Sequence, residues 1–405
     1  MTIDSAVGAA PAAVDFDPYD YAVQDDPYPV YAWLRQNAPL YRNEQHGFWA
    51  LSRHADITAA VRDESTYSNS MGVSLDPAAW GPNARYTMSF LAMDPPDQTR
   101  LRSLVSGGFT PRRIKDLEPR ISRLTAEYLD AILERGSVDF IDDFAGKLPM
   151  DVISELMGVP AEDRPELRRL SDLVLHREDG SHDVPKEGMD AAVTLFGYYA
   201  GLLAERRRKP VDDLTSALTQ VEVDGDRLTD QEIIGFLFLM IVAGNETTTK
   251  LLGNCVYWGA RNPDQLATVF ADPSRVPRWV DETLRYDTSS QLVARYLRKD
   301  VELHGRVAPA GSQLVLLLGS ANRDPAVFPE PDRFDLDRDT SQLVSFGGGR
   351  HYCLGANLAR LEAKVALTEL MSRVDRIDVD DAGVRRMHSV NVRGLAHLPV
   401  TLQAR

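Results

Sequence analysis

A chain of 405 residues is long enough to bury a large core and to enclose a cofactor, and a content of 43% hydrophobic and 26% charged residues excludes disordered and fibrous proteins. The net charge of -15 argues against nucleic-acid binding, which requires Lys and Arg to neutralise phosphates. The two cysteines, Cys255 and Cys353, supply neither a disulfide framework nor a structural zinc cluster, so we expect a reducing cytoplasm.

The N-terminal 17 residues are rich in Ala and are expected to be loose. Residues 18–405 contain no repeat, low-complexity tract or long linker, and we expect them to form one domain. No secretory signal is apparent, and the longest apolar run, residues 233–243, is too short to cross a bilayer. The sequence therefore predicts a protein without a membrane anchor.

The first half of the chain reads mainly as helices separated by loops. Residues 48–52 predict a short strand, which a helix after His54 follows. Residues 68–93, rich in Asn, Pro, Gly and Ser, predict a long loop, and loops of that length are usually functional. Helical patterns then dominate residues 117–208, with breaks at Gly136, at Pro160 and across residues 176–185.

A long helix is predicted to begin near Thr229, which forms a capping box with Glu232, and to continue to Arg261 before Pro263. About 30 residues at 1.5 Å each would span roughly 45 Å, enough to cross a whole domain. Short strands are predicted near residues 301–303, 314–318 and 398–402. The fold class is therefore mainly α with minor β.

A polar cluster, Ala-Gly-Asn-Glu-Thr-Thr at residues 243–248, interrupts the apolar pattern of this helix. Burying such groups costs free energy unless they are paired or functional. A Thr can donate to a carbonyl one turn earlier and open a kink that water enters. A helix bend with solvated polar residues is the alternative interpretation.

Residues 346–355, with the sequence Phe-Gly-Gly-Gly-Arg-His-Tyr-Cys-Leu-Gly, are the most informative segment. Three glycines let the backbone turn tightly and approach a flat ligand closely. Cys353 precedes a predicted helix over residues 354–371, whose free N–H groups and dipole favour a thiolate, and a thiolate is a good ligand for iron. A lone Cys beside a glycine turn is otherwise structural, and the glycines do not match a phosphate-binding loop.

This segment resembles the haem-binding signature of cytochromes P450, FxxGxxxCxG, through Phe346, Gly349, Cys353 and Gly355. The resemblance covers the chain from about Asp17 to its end. It implies the cytochrome P450 fold, with a long central helix over a haem b whose iron is bound by Cys353.

Three further motifs resemble those of the same family. Within residues 243–248, the resemblance implies that Glu246 and Thr247 deliver protons to dioxygen. Glu282 and Arg285 stand three residues apart on one helix face, which by itself would indicate a weak surface ion pair. The resemblance, together with the segment 328–334, implies instead a buried structural triad of Glu282, Arg285 and Arg333.

The start of the family's haem-flanking helix resembles residues 94–102, with Gln98 where His is usual. Haem propionates require cationic or hydrogen-bonding partners once they leave water. By position, the resemblance assigns this role to Gln98, Arg102, Arg295 and His351.

The resemblance implies a monooxygenase that uses O2 and a small, mostly apolar substrate. Electrons would come from a separate ferredoxin and its reductase, since no flavin or nicotinamide fingerprint is apparent. A peroxide-driven peroxygenase and a non-catalytic haem sensor are alternatives that Glu246 and Thr247 disfavour, and an all-α binding protein is the interpretation without the motifs. The expected pocket walls, residues 87–91, 170–195, 236–243, 289–293 and 390–392, suit terpenoids, steroids, fatty acids or polyketides equally.

Basic residues are predicted to form a docking patch for an acidic electron-transfer protein, despite the net negative charge. In the family's fold they would lie on the face of Cys353. They are Arg100, Arg102, Arg112 and Arg113, with Arg350 and Arg360 beside the cysteine loop.

Overall fold

The computed structural model describes residues 15–178, 181 and 184–405. The α-helices are α1 (Tyr21–Asp25), α2 (Tyr28–Asn37), α3 (His54–Ala60), α4 (Ala84–Met88), α5 (Asp97–Ser106), α6 (Pro111–Asp116), α7 (Glu118–Arg135), α8 (Leu148–Met157), α9 (Arg164–Leu175), α10 (Lys186–Arg208), α11 (Leu214–Gln220), α12 (Asp230–Arg261), α13 (Pro263–Ala271), α14 (Val276–Tyr286), α15 (Leu318–Ala321) and α16 (Ala356–Arg373).

The strands are short, and they confirm the expected class, mainly α with minor β. They are β1 (Leu40–Arg42), β2 (Trp49–Leu51), β3 (Tyr67–Ser68), β4 (Ser137–Asp139), β5 (Glu222–Val223), β6 (Asp226–Arg227), β7 (Leu292–Leu297), β8 (Val301–Leu303), β9 (Arg306–Ala308), β10 (Gln313–Leu317), β11 (Val374–Val379), β12 (Arg385–Arg386), β13 (Leu395–His397) and β14 (Pro399–Ala404).

The largest sheet has the order β1-β2-β10-β7-β3. Strand β10 pairs parallel to β2 and antiparallel to β7, which places Leu314 between Trp49 and Arg295. A second sheet joins β11, β14 and β4. The predicted strands near residues 48–52, 301–303, 314–318 and 398–402 correspond to β2, β8, β10 and β14, whereas β7 was not predicted.

Helix α12 has the predicted bounds and the predicted cap. Thr229 accepts from the Glu232 backbone, and the Glu232 side chain accepts in return from the Thr229 N–H. The helix runs to Arg261 over 32 residues and packs against α4, α8, α9, α10, α14 and α16. It is therefore the central element, and the apolar run at residues 233–241 is buried on most sides.

Two predicted segments differ from the structure. Residues 68–93 are not one open loop, because they contain β3, α4 and short 3₁₀ turns, and α4 packs on α12 so closely that a side chain at Gly235 would meet the Tyr86 carbonyl. The helix predicted from residue 354 begins two residues later, at Ala356.

The expected loose segment lies outside the described residues up to position 14, and Phe16, which follows, is buried against the Tyr31 and Phe48 rings.

Two hydrophobic clusters form the core. The larger surrounds α12, and the smaller joins the five-stranded sheet to α2 and α3. The main cavity is lined from both, by Phe90 and Leu239 of the first and by Val293 and Leu318 of the second. Within the described ranges, no helix combines the length and the apolar character needed to span a membrane.

Candidate active site

A cavity of about 270 Å³ lies between α12, α16 and the five-stranded sheet. Its walls are mostly apolar, and Cys353 opens onto it. The wall residues from the predicted pocket segments 87–91, 236–243 and 289–293 are Phe90, Leu91, Leu239, Met240, Ala243, Ser289, Ser290 and Val293.

Two predicted wall segments do not line this cavity. Val390 and Val392 face a smaller pocket beside Phe16 and Tyr31. The described part of residues 170–195 contributes no wall residue either, because α9 and α10 pack behind α12. The expected walls at residues 170–195 and 390–392 were therefore wrong.

The cysteine loop has the tight backbone that its glycines predict. Gly347 and Gly349 adopt φ of 69° and 60°, and a side chain at Gly349 would overlap the Val61 carbonyl. The Cys353 N–H donates to the Phe346 carbonyl at 3.0 Å and closes the loop. Phe346 and Gly355 line the same cavity.

Opposing effects act on the pKa of the Cys353 thiol. Burial raises the pKa of its thiol, while the N–H groups of Gly355 and Ala356 and the charge of Arg102 act to lower it. The predicted helix N-terminus therefore stabilises the thiolate, but it does not outweigh the surrounding apolar walls.

Two nitrogen-bearing side chains on the cavity wall form no ion pair among the described residues. Arg295 is 5% exposed, donates to the Ala294 carbonyl at 2.7 Å and pairs with no carboxylate among the described residues. Its burial lowers its pKa to about 10. Neither ring nitrogen of His351 has a partner in the same ranges, and burial with the charges of Arg295 and Arg102 lowers its pKa to about 3.

Buried polar groups are rarely left without a partner. A thiol, an apolar slot, an Arg295 guanidinium without a carboxylate partner among the described residues, and the unpaired ring nitrogens of His351 fit a flat apolar ring that carries carboxylates. The residues present therefore fit haem b.

Gln98 and Arg102 are placed differently from Arg295 and His351. Gln98 is buried and donates to the Arg350 carbonyl at 3.0 Å. Arg102 donates to the same carbonyl at 2.9 Å and to the Tyr352 carbonyl at 2.6 Å. Both therefore support the backbone of the cysteine loop, and their expected contact with the haem propionates stays a prediction.

Thr247 and Glu246 point to different sides of α12. The Thr247 hydroxyl donates to the Ala243 carbonyl at 2.8 Å, as predicted, and the residue lines the cavity. Glu246 is buried away from that wall, with Oε2 at 3.1 Å from Lys250 Nζ. Burial alone would raise the pKa of Glu246, but the Lys250 charge and a hydrogen bond with Asp172 lower it.

Glu282 and Arg285 form a buried, bidentate pair. Arg285 Nε and Nη2 donate to the two Glu282 carboxylate oxygens at 2.7 Å each, and both side chains are at most 1% exposed. Arg285 also donates to the carbonyls of Asn322, Pro331 and Arg333.

Arg333 is a correction to the predicted triad. Its guanidinium is 58% exposed beside Glu330 and Asp335, because the turn after Glu330 directs the Arg333 carbonyl, and not its side chain, toward Arg285. The second guanidinium near Glu282 belongs to Arg338, with Nε at 3.4 Å and 9% exposure.

Sequence reasoning missed four residues. The i,i+4 spacing of Glu246 and Lys250 was a usable signal. No local pattern marks Asp172, Arg338 or Glu362 as neighbours of the site. Glu362 lines the cavity from α16, is 2% exposed, has an Oε2 without a partner in the described chain, and has a pKa that burial raises to about 8.

Comparison with known proteins gives one consistent result. The cytochrome P450 family model matches residues 185–379. Cytochrome P450 123 of Mycobacterium tuberculosis is 58% identical over 390 residues, which cover 96% of this chain and 97% of that protein.

Solved structures agree with that sequence match. Cytochrome P450 CYP109Q5 from Chondromyces apiculatus has a TM-score of 0.87 and 36% identity, covering 96% of this chain and 99% of that chain. CYP109E1 from Bacillus megaterium, in complex with corticosterone, has a TM-score of 0.83 and 32% identity, with 94% and 99% covered.

Proposed function

Because this chain belongs to the cytochrome P450 family, we propose that it inserts one oxygen atom of O2 into a small, mostly apolar substrate with electrons from a separate ferredoxin and its reductase. Its class, a cytochrome P450 monooxygenase with haem b as cofactor, follows from the family. The observation that carries the proposal is the Cys353 thiol on an apolar cavity whose wall also holds Arg295, without an ion pair among the described residues, and His351, whose ring nitrogens have no hydrogen-bond partner there.

Different residues would hold different parts of the cofactor. Cys353 would bind the iron, and Arg295 and His351 would meet the carboxylates. Phe346, Gly349 and Gly355 give the loop the shape that admits a flat ring. When bound, haem supplies the activation of dioxygen, with the thiolate donating electron density that favours O–O cleavage.

The protein's part in the chemistry is to move protons and exclude water. Thr247 stands on the cavity wall, where its hydroxyl oxygen can accept a hydrogen bond while its proton is donated to the Ala243 carbonyl. Glu246, the residue before it on α12, is ionisable and buried on the adjoining side of the helix, which makes it the nearest acid in sequence that could supply protons to that hydroxyl. We propose this pair as the proton route, and its intact form favours a monooxygenase over a peroxygenase or a sensor.

The cavity supports a substrate with an apolar body and an oxygen function. Leu91, Leu239 and Val293 supply apolar wall, while the hydroxyls of Thr288 and Ser289 are buried there without hydrogen-bond partners in the described chain. A steroid has this character, and the similar CYP109E1 structure is a corticosterone complex. Type I spectral shifts against steroids, terpenoids, fatty acids and polyketides would rank these classes, and equal shifts for all would refute the preference.

The test of the thiolate assignment is the absorption spectrum of the reduced protein with carbon monoxide. The wild type should show the long-wavelength Soret band of thiolate ligation, and Cys353→Ser should lose it. Cys255→Ala is the matched control, because Cys255 is fully buried, has a pKa that burial raises to about 12 and does not line the cavity. An unchanged band in Cys353→Ser would remove Cys353 from this role.

An acidic ferredoxin is proposed to dock beside the cysteine loop, although the basic patch is smaller than the sequence predicted. Arg112 and Arg113 are exposed on α6, which packs on α16, and form no ion pair within the described ranges. Arg100 is instead paired with Asp226 and Glu232 at 2.5 Å each, and Arg360 with Asp281 at 2.8 Å.

The docking test is the rate of ferredoxin-dependent reduction against ionic strength. Arg112→Glu/Arg113→Glu should reduce the rate about tenfold or more at low salt and flatten its salt dependence, since exposed charges act over roughly 10 Å at 0.1 M. The same reversal at Lys186 and Arg208, exposed on α10, is the control. If both variants match the wild type, Arg112 and Arg113 have no part in docking.

Both cysteines are free thiols, which supports action in the cytoplasm.

A further inference from the structure

Helix α12 carries a buried lysine one turn after Glu246. The Lys250 side chain is 6% exposed, and its Nζ lies 3.1 Å from Oε2 of Glu246, which is 3% exposed. Lysine is almost never buried unless it is paired. The pair is therefore a specific arrangement of this helix and not a surface contact.

The surrounding chain fixes the direction of the lysine. Gly394, immediately before β13, lies so close that a Cβ there would be 2.6 Å from Lys250 Cγ and 2.8 Å from Cδ. Any larger residue at position 394 would displace the Lys250 side chain. The fold thus leaves room for this side chain and holds its ammonium group against Glu246.

A second carboxyl meets Glu246 from α9. Asp172 as a residue is exposed on that helix, but its carboxyl is largely buried beside Glu246, with which it shares a hydrogen bond. Two adjacent carboxyl groups resist simultaneous ionisation, so one of them keeps a proton. The charged groups that act on Glu246 are Lys250 on α12 and Asp172 and Arg168 on α9.

The position of Lys250 decides which carboxyl ionises. The ammonium contacts Glu246 directly, which favours the Glu246 carboxylate, and the hydrogen bond then needs its proton on Asp172. The pKa values agree in direction. That of Glu246 is lowered by Lys250 and Asp172 against the effect of burial, and that of Asp172 is raised by burial of its carboxyl and by Glu246.

We propose that Lys250 is a positioning residue that keeps Glu246 ionised, so that Asp172 holds the shared proton and takes up protons from solvent for the Glu246–Thr247 route. This inference rests on the proposed function. In each transfer Asp172 O–H gives its proton to the Glu246 carboxylate, Glu246 passes one proton toward the Thr247 side, and water reprotonates Asp172. Lys250 keeps its charge throughout.

The direct test is infrared titration of protonated carboxyl groups in haem-loaded protein without turnover. Lys250→Met should raise the pKa of Glu246, because an opposite charge at this distance lowers a carboxyl pKa by about 1–3 units. A new protonated-carboxyl band should appear, titrate about 1–3 pH units higher than in the wild type, and vanish in Lys250→Met/Glu246→Gln. Asp172→Asn should remove one wild-type band, and Lys250→Arg should restore the wild-type pattern.

A purely structural ion pair predicts a different result. In that case Lys250→Met would lower the melting temperature without adding a band, and Asp172→Asn would leave the bands unchanged. Either outcome overturns the proposal. If Lys250→Met does not fold, Lys250→Gln removes the same charge with a shorter polar chain and serves the same test.

Turnover gives the second readout. With a substrate from the spectral panel, Lys250→Met should move the pH profile of product formed per NADPH to higher pH, while KM stays within about twofold. An unmoved profile would overturn the role of Lys250. The infrared titration tests the role of Lys250 independently of the proposed function. A failure of the proposed function would instead appear as the absence of the long-wavelength Soret band.

Discussion

Replacing Arg285 with Ala should destabilise the protein more than any other single change near the cysteine loop. Arg285 is fully buried and bidentate to Glu282. Its removal leaves the Glu282 carboxylate buried. The remaining partners of that carboxylate would be the Asp335 N–H, which donates at 2.9 Å, and the more distant Arg338 guanidinium. Breaking one partner of a buried pair costs about 3–5 kcal/mol.

The carbonyl groups around Arg285 add to this loss. The carbonyls of Asn322 and Pro331 would lose their charged donor, whereas the Arg333 carbonyl would still accept a hydrogen bond from Arg338 at 3.1 Å. A hydrogen bond from a charged group contributes about 1.5–3 kcal/mol. The sum exceeds about 5 kcal/mol, which is comparable to the whole free energy of unfolding of a typical domain. We therefore expect Arg285→Ala to yield haem-free, aggregated protein.

Two companion variants test the corrected triad. Arg338→Ala should cost about 1–3 kcal/mol, since Glu282 keeps its bidentate partner. Arg333→Ala should stay within about 0.5 kcal/mol, because that guanidinium is exposed. Urea unfolding followed by circular dichroism measures Arg338→Ala and Arg333→Ala, and the yield of soluble protein with its haem content, read from the Soret band, compares all three. An Arg333→Ala protein as unstable as Arg285→Ala, beside an undisturbed Arg338→Ala, would refute the reasoning.

Two further outcomes follow from the cavity wall. Thr247→Ala should uncouple turnover, with NADPH consumed at a similar rate and product per NADPH reduced about tenfold or more in favour of peroxide, and an unchanged yield would exclude proton delivery through Thr247. Because burial raises the pKa of Glu362 from 4.5 to about 8, the folded protein holds this proton over a pH range in which the unfolded chain has lost it. Wild-type stability should therefore fall as pH rises from about 5 to 8, and the stability of Glu362→Gln relative to the wild type should rise over the same range by on the order of 2–4 kcal/mol; parallel curves would contradict this.

The elements that the sequence predicted well are those whose signals are local. The cap at Thr229 and Glu232 and the stop before Pro263 define α12 within the chain itself. The glycines and Cys353 likewise stand within ten residues, so their geometry needed no distant partner. Residues 68–93 were less predictable because α4 is a short helix that depends on packing against α12.

The site residues that were missed depend on side-chain direction and on contacts between distant segments. Arg333 and Arg338 lie close to each other in sequence but far from Glu282, and the turns that precede them decide that the Arg338 guanidinium, and not that of Arg333, lies beside Glu282. Asp172 meets Glu246 across two helices. No periodicity reports such a contact, so pattern reasoning left Glu246 without its partners.

The buried ionisable groups near the cavity that are named above fall into two kinds, and their positions separate them. Glu282 with Arg285 and Glu246 with Lys250 are compensated by a partner and lie behind the cavity wall. Arg295, His351 and Glu362 lie on the wall itself. An uncompensated buried group costs folding free energy, whereas a ligand that supplies its counter-charge binds the folded state alone and stabilises it. Stability and cofactor affinity are therefore set partly by the same wall residues. A change such as Arg295→Leu should weaken haem retention while making the polypeptide easier to fold.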